Sequence, residues 1–278
     1  MELVTANHFS LEQLTDAYNQ TRVDYLVPMP MNVAKLREYS RVYDVQLSCS
    51  SVAVEADIML GLGMLGVRGK LGWITRLGVL PVGRRKGTGR CLMEALIQQA
   101  ALNNLTHIWL EVIKGNKPAH KLFHTFGFQE TRELIIARRP PSTPVVPALA
   151  DTIKRVTTLN HEEALILLAH RKRTPNWLNQ TETLQNVHNL SALLVELKDG
   201  SRGWVTYHAG LLQLTRIIVE VTIGNPTKVT ESVLHVLHQR HKRQDSIAEN
   251  LFDDDQWVGF QNAGYFDSFR RIEMVKEL

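Results

Sequence analysis

Apolar positions along this chain follow two periods, and their order sets the expected fold. Apolar, β-prone runs at 72–80, 107–113, 192–197, 203–208 and 212–221 read as strands, and 46–54 with 58–67 reads as a hairpin around Glu55-Ala56-Asp57. From Arg90 to Asn103 the residues Leu92, Ala95, Leu96 and Ala100 share one helical face. Ser10 is placed to cap a helix starting at Leu11, with Glu12 and Gln13 in its first turn, and Asn32 to cap another ending near Tyr39. A further helix is expected over about 230–240. Strands interleaved with helices predict an α/β (α+β) protein.

The densest information lies in Leu77-Gly78-Val79-Leu80-Pro81-Val82-Gly83-Arg84-Arg85-Lys86-Gly87-Thr88-Gly89, which joins a strand to a turn of small residues and then to a helix. Unpaired N–H groups at such a helix start, beside Arg84, Arg85 and Lys86, would hold a pyrophosphate. A Walker-type loop would need Gly-Lys-Ser/Thr closing a longer glycine loop, and a dinucleotide fingerprint needs three glycines and a later acidic residue. Neither pattern is met. The spacing Val79-x-Pro81-x-x-Arg84-x-x-Gly87-x-Gly89 resembles the acetyl-CoA signature of the GNAT superfamily of N-acetyltransferases.

A second signature follows in the right order. His107 to Ile113 is β-prone, and Asn116-x-x-Ala119-x-x-Leu122-Phe123-x-x-x-Gly127-Phe128 is similar to the GNAT segment in which a strand ends in Asn, a short helix follows and Gly-Phe opens the next strand. The resemblance covers about the first half of the chain. It implies acetyl-CoA as co-substrate, held by Leu77, Val79, Pro81, Arg84, Arg85, Lys86, Gly87, Thr88 and Gly89 together with Asn116 and Phe123, with backbone groups at Val79 and near Pro81 pairing with the pantetheine arm. It also implies an amine acceptor, either a small molecule or a peptide.

At 278 residues the chain is long enough for two domains. Pro140-Pro141-Ser142-Thr143-Pro144-Val145-Val146-Pro147 breaks helix and strand alike, which predicts domains at 1–139 and 151–278 with a linker at 140–150. The second half repeats the first in worn form. Gly264-Tyr265 answers Gly127-Phe128, and Trp177-Leu178-Asn179 answers Pro30-Met31-Asn32. Where the first half has its cradle, the second has Gly224-Asn225-Pro226-Thr227-Lys228, and Pro226 removes a backbone N–H. This resembles tandem GNAT proteins: two GNAT-like domains, each a mixed, mostly antiparallel twisted sheet flanked by helices, the second degenerate and without a cofactor site.

The net charge of +4 and 44% hydrophobic residues describe a globular protein with a sizeable core. The clusters Arg171 to Arg173 and Arg240 to Arg243 read as solvated helix ends rather than a nucleic-acid stripe. Cys49 and Cys91 have no metal-ligand spacing, and Cys91 is expected to be a small buried thiol, so a reducing cytoplasm fits. No run approaches the roughly twenty apolar residues of a membrane span, and no leader pattern opens the chain. Neither a nucleic-acid nor a membrane partner is expected; a homodimer is compatible with the sequence.

Acetyl transfer to an amine needs a proton acceptor, because an alkyl ammonium has a pKa near ~10. Glu111 is the candidate base. It shares a strand face with Trp109 and Ile113, and it matches a Glu used as base in the ribosomal-protein N-terminal alanine acetyltransferases of this superfamily. An ion-paired surface glutamate is the competing reading. Asn116 equally suits a strand-ending turn or helix cap. Where many family members carry a Tyr that protonates the departing thiolate, this chain has Phe123, which has no proton to give. His124 and Tyr43 are the nearby alternatives, and Phe123 keeps open a second function, a non-catalytic acyl-CoA-binding sensor or regulatory module. His120 and His124 share a helix face, no third ligand is expected nearby, and no metal is assigned.

Overall fold

The computed structural model describes residues 1–142 and 147–278. Two compact units emerge, Met1–Arg132 with Ile272–Leu278, and Glu133–Arg271. This division differs from the linear split at 139 and 151. The reason is strand exchange: the chain enters the second unit in mid-strand at residue 133 and returns to the first at 272. Residues 143–146 of the expected linker lie outside the described residues. Upstream of them Arg139 is almost fully buried, and its guanidinium donates to Ala263 O and to Ser142 Oγ (2.7 and 2.8 Å).

The first unit runs β1 (Glu2–Thr5), α1 (Leu11–Gln20), α2 (Val33–Val42), β2 (Ser51–Glu55), β3 (Ile58–Arg68), β4 (Leu71–Val79), α3 (Thr88–Leu102), β5 (His107–Ile113), α4 (Lys117–Thr125) and the start of β6 (Gln129–Arg139). Ser10 caps α1 in a reciprocal box with Gln13, and Asn32 caps α2 through Lys35 N, as their side chains dictate. The β2–β3 turn is built by Ala56 and Asp57, both left-handed at φ +48° and +63°.

The second unit runs α5 (Pro147–Ala150), β7 (Ile153–Leu159), α6 (His161–Ala169), α7 (Thr181–Gln185), β8 (Leu190–Leu197), β9 (Arg202–Ala209), β10 (Gln213–Ile223), α8 (Pro226–Arg240), β11 (Asp245–Leu251), α9 (Asp255–Asn262) and β12 (Phe266–Glu277). In the first unit the strand order is β1-β2-β3-β4-β5, then the end of β12, then the start of β6. In the second it is β7-β8-β9-β10-β11, then the end of β6, then the start of β12. The same order, with terminal strands exchanged reciprocally, makes the two units structural repeats.

Finer marks of the repeat survive. β4 pairs in parallel with β5 as far as Ile74↔Leu110, and β10 with β11 as far as Leu214↔Ser246. Two residues after each last pair stands a left-handed arginine, Arg76 (φ +53°) and Arg216 (φ +56°), at a register shift against the preceding strand. Each unit also closes its last helix alike. Gly127 and Gly264 take φ +82° and +90°, after which Phe128 N bonds Phe123 O and Tyr265 N bonds Phe260 O. The match of Trp177-Leu178-Asn179 to Pro30-Met31-Asn32 is weaker: Asn179 caps no helix and donates instead to Glu249 O (3.0 Å).

Each unit buries its own core. In the first, Leu65, Ile74, Met93, Leu96, Ile108, Leu110, Phe128 and Met274 pack between α3, α4 and the sheet. The second packs Ile135, Leu193, Val205, Leu214, Val233, Leu237, Trp257 and Phe260 around α8 and α9. Both cysteines are free, and Cys91 is half-exposed rather than buried. Among the described residues no helix is long and apolar enough to cross a membrane.

Candidate functional site

The site begins where β4 and β5 stop pairing. Beyond Ile74↔Leu110, β4 continues to Val79 and β5 to Ile113 without further parallel pairs. The register of β4 on β3 jumps from Thr75↔Met64 to Gly78↔Leu62, so Arg76 and Leu77 together oppose Gly63. A bulge bends the strand and adds twist, and here it turns the end of β4 away from β5. The backbone of Leu77 to Val79 is left without a partner strand on the β5 side, along the β4/β5 splay.

The chain then wraps into a helix start. Leu80 N bonds Leu60 O (2.8 Å), Pro81–Gly83 makes one tight turn, and Thr88 Oγ1 donates to Gly83 O (2.9 Å) from a buried position. Gly83 is there because a Cβ would lie 2.5 Å from Leu60 O. Arg85 (φ +63°) and Gly87 (φ +79°) are left-handed, and no side chain caps α3 at Gly87. Cys91 N, bonded to Gly87 O, begins the helical ladder, so the N–H groups before it point outward. The positive end of the helix dipole lies behind them, an arrangement that favours an anion. Gly89 does a different job: a Cβ there would merely touch Leu122 and Val79 at 3.5 Å.

The three expected cations are not equally available. Arg84 forms a two-pronged pair with Asp24 (2.5 and 2.7 Å), and its Nε reaches Val79 O at 3.4 Å. Lys86 pairs with Glu55 (3.0 Å). Arg85 is exposed and has no partner among the described residues. The Arg84 guanidinium holds the Asp24 carboxyl below its usual range, and Lys86 does the same for Glu55.

Asp24 belongs to the α1–α2 loop, which lies over the cleft. From the same loop Arg22 donates to Leu77 O (3.3 Å) and stacks over the Tyr25 ring at 4.0 Å. Tyr25 Oη in turn accepts from Asn116 Nδ2 (3.4 Å). Thus residues from three of the predicted cofactor positions, Leu77, Arg84 and Asn116, are drawn together by one loop. Asn116 also caps α4 through Ala119 N (3.3 Å), so its local role is present beside any ligand role.

Glu111 is half-buried on β5, and its charge is among the lesser influences on the Tyr39 phenol of α2. Tyr39 bonds Thr75 Oγ1 (2.6 Å) and lies under the Arg76 guanidinium (4.1 Å), which also reaches Tyr18 Oη (3.0 Å). Burial pushes the Tyr39 phenol well up, so it is a protonated donor at neutral pH. Tyr39, Arg76 and Tyr18 escaped the sequence reading. Tyr39 and Arg76 bear no motif, and only the docking of α2 on β4 brings Tyr39 to Thr75 and Arg76.

Other candidates fall elsewhere. Phe123 is 6% exposed and packs on Phe128 in the core. Tyr43 is buried against Tyr39 and Trp73. His124 is exposed and shares Glu130 with His120, at 3.4 and 2.8 Å. That corrects one expectation: a third metal-capable group does stand beside the two histidines, brought there by the start of β6, with ligand atoms all within 4.8 Å. The basic clusters divide as well. Arg240 ends α8 in solvent, bonded to Thr158, whereas Arg171 is substantially buried.

The acetyltransferase (GNAT) family model matches residues 14–128. No curated protein matches the sequence. Among solved structures, a tandem GNAT protein from the clavulanic acid biosynthesis pathway aligns over 99% of this chain and 98% of its own, with a TM-score of 0.65 at 13% identity. A GCN5-related N-acetyltransferase from Sphaerobacter thermophilus aligns over 96% and 92% (TM-score 0.66, 14% identity), and Eis1 from Mycobacterium abscessus over 100% and 74% (TM-score 0.56, 12% identity). At such identities the likeness is one of fold.

Proposed function

We propose, from the premise that residues 14–128 form a domain of the acetyltransferase (GNAT) family within a tandem GNAT fold, that the β4/β5 cleft takes acetyl-CoA and passes its acetyl group directly to a primary amine. The observation that carries this reading is the conjunction of two features in one short segment. A strand splay leaves the β5-facing edge of β4 without a strand partner from Leu77 to Val79, and the uncapped start of α3 follows it at once. An extended amide-bearing arm suits the first, and a pyrophosphate suits the second.

Acetyl-CoA supplies an activated thioester. The protein's part is placement and proton handling. The helix start with Arg84, Arg85 and Lys86 would hold the diphosphate; Leu77, Val79 and Pro81 would align the arm. Glu111 would take the ammonium proton, directly or through water, so that the amine nitrogen can attack the carbonyl carbon as the C–S bond breaks. Tyr39, protonated at neutral pH, is a phenol of the same unit with a proton to give. Phe123 has no such part, being an apolar member of the core.

The burial of Phe123 also supports a second reading, an acyl-CoA-binding regulatory module without turnover. Thiol release from acetyl-CoA over a panel of primary amines separates the two. Turnover with any amine supports transfer, and tight CoA binding with no turnover throughout the panel supports the sensor.

A further inference from the structure

The second unit has its own splay, and it encloses a cavity of about 70 Å³. That is several times the ~10–15 Å³ that one water requires. Its walls are Ile217 to Glu220 of β10, the residues following β11 at Phe252, and Trp257 and Phe260 of α9. No phosphate cradle adjoins it. Asn225 caps α8 by accepting from Lys228 N (2.9 Å), and Pro226 at the first helical position has no N–H. Any occupant is therefore smaller than a coenzyme and lacks its diphosphate.

The lining is polar in a specific way. Glu220 is 7% exposed; one of its oxygens accepts a long bond from Lys172 N (3.4 Å), and the other has no partner among the described residues. Arg171 bonds Thr181 Oγ1 (3.3 Å) and feels the charge of Glu220, yet no ion pair joins the two among the described residues. Two substantially buried opposite charges thus line one cavity without closing on each other. Asn250, 4% exposed and left-handed at φ +61°, presents Nδ2 with no acceptor among the described residues. The remaining charges, Arg173 and Asp254, are paired. The charged groups of the lining balance, and among the described residues the acceptor oxygens of Glu220 and Asn176 and the donors of Arg171 and Asn250 face apolar Ile217, Val219, Trp257 and Phe260.

Unsatisfied buried polar groups are costly, so a cavity that keeps them calls for a ligand that supplies their partners. We infer that the β10/β11 cleft of the second unit binds a small zwitterion, an α-amino acid with a short aliphatic side chain. Its ammonium meets Glu220, its carboxylate meets Arg171 and Asn250 Nδ2, and its side chain lies against Trp257 and Phe260. A net anion would leave Glu220 facing like charge, and a net cation would do the same to Arg171. The same cleft geometry thus serves two chemistries in one chain: with a helix-start cradle in the first unit, and with buried charges in the second.

The test is isothermal titration of the full chain, without acetyl-CoA, using L-valine, isovalerate (no ammonium) and isobutylamine (no carboxylate). Saturable one-site binding of L-valine, weakened roughly tenfold or more in Glu220→Gln and separately in Asn250→Leu, with both analogues failing, supports the inference. Asn250→Leu retains volume and removes the spare donor, so it remains informative if Glu220→Gln does not fold. Absence of L-valine binding, equal binding of either analogue, or binding unchanged in folded Asn250→Leu would overturn it. Coenzyme A affinity, read on the same samples, reports the first unit independently.

Discussion

Asp24 and Arg84, sixty residues apart, grip each other through both oxygens and both terminal nitrogens at 2.5 and 2.7 Å, at the rim of the proposed diphosphate site. The pair is solvent-exposed, so it adds little to stability. Its consequence is competition, since the same guanidinium cannot face a carboxylate and a diphosphate equally.

Asp24→Asn should therefore tighten CoA binding by roughly two- to fivefold while leaving the thermal midpoint unchanged. Arg84→Ala should weaken it. Fluorescence or calorimetric titration with CoA checks both. Weaker binding in Asp24→Asn would mean that the loop is part of the closed complex rather than a competitor.

Two glycines of the cradle should fail differently. Gly83→Ala forces a Cβ to 2.5 Å from the Leu60 carbonyl and should cost about 1–3 kcal/mol in denaturant unfolding. Gly87→Ala meets no atom within 4 Å and carries only the left-handed backbone strain, about 1–2 kcal/mol. Gly87→Val adds bulk at the proposed anion site and should weaken CoA binding in protein that still folds.

If Glu111 accepts the ammonium proton, Glu111→Gln should lower kcat by about 10²–10⁴-fold with little change in CoA affinity. It should also remove the acidic limb of the pH–rate profile. A retained limb would assign the proton to another group.

Burial lowers the His238 imidazole to about 3, with Arg139, His241 and His235 acting in the same direction; its Nε2 faces Tyr265 Oη at 3.2 Å. The folded state thus keeps it neutral while the unfolded chain protonates it near pH 6.5. Stability that is complete above about pH 6.5 is lost as the pH falls from there toward 3, by about 2 kcal/mol at pH 5. His238→Gln should flatten this slope in urea unfolding measured between pH 7 and 5.

Residues with local physical meaning were legible from the sequence alone. Ser10 and Asn32 cap because a short oxygen-bearing side chain reaches the next turn; Gly127 and Gly264 close helices because the left-handed turn disfavours a Cβ. The turn from Pro81 to Gly89 into α3 and the capped start of α4 at Asn116 were readable for the same reason, as each is built from neighbours in the chain. The repeat was visible in Gly-aromatic pairs, though its extent was not.

What the tertiary structure decided is pairing between distant residues, which no local pattern encodes. Arg84 met Asp24, Tyr39 came to Thr75 and Arg76, and Glu130 joined His120 and His124, because strand register and helix docking set these distances. Exchange of the ends of β6 and β12 moved the unit boundaries away from the proline run, since hydrogen-bonded strands bind more firmly than a linker separates. Arg171 read as a solvated helix end, yet folding buried it near Glu220, because burial depends on the whole surround of a residue and not on its own polarity.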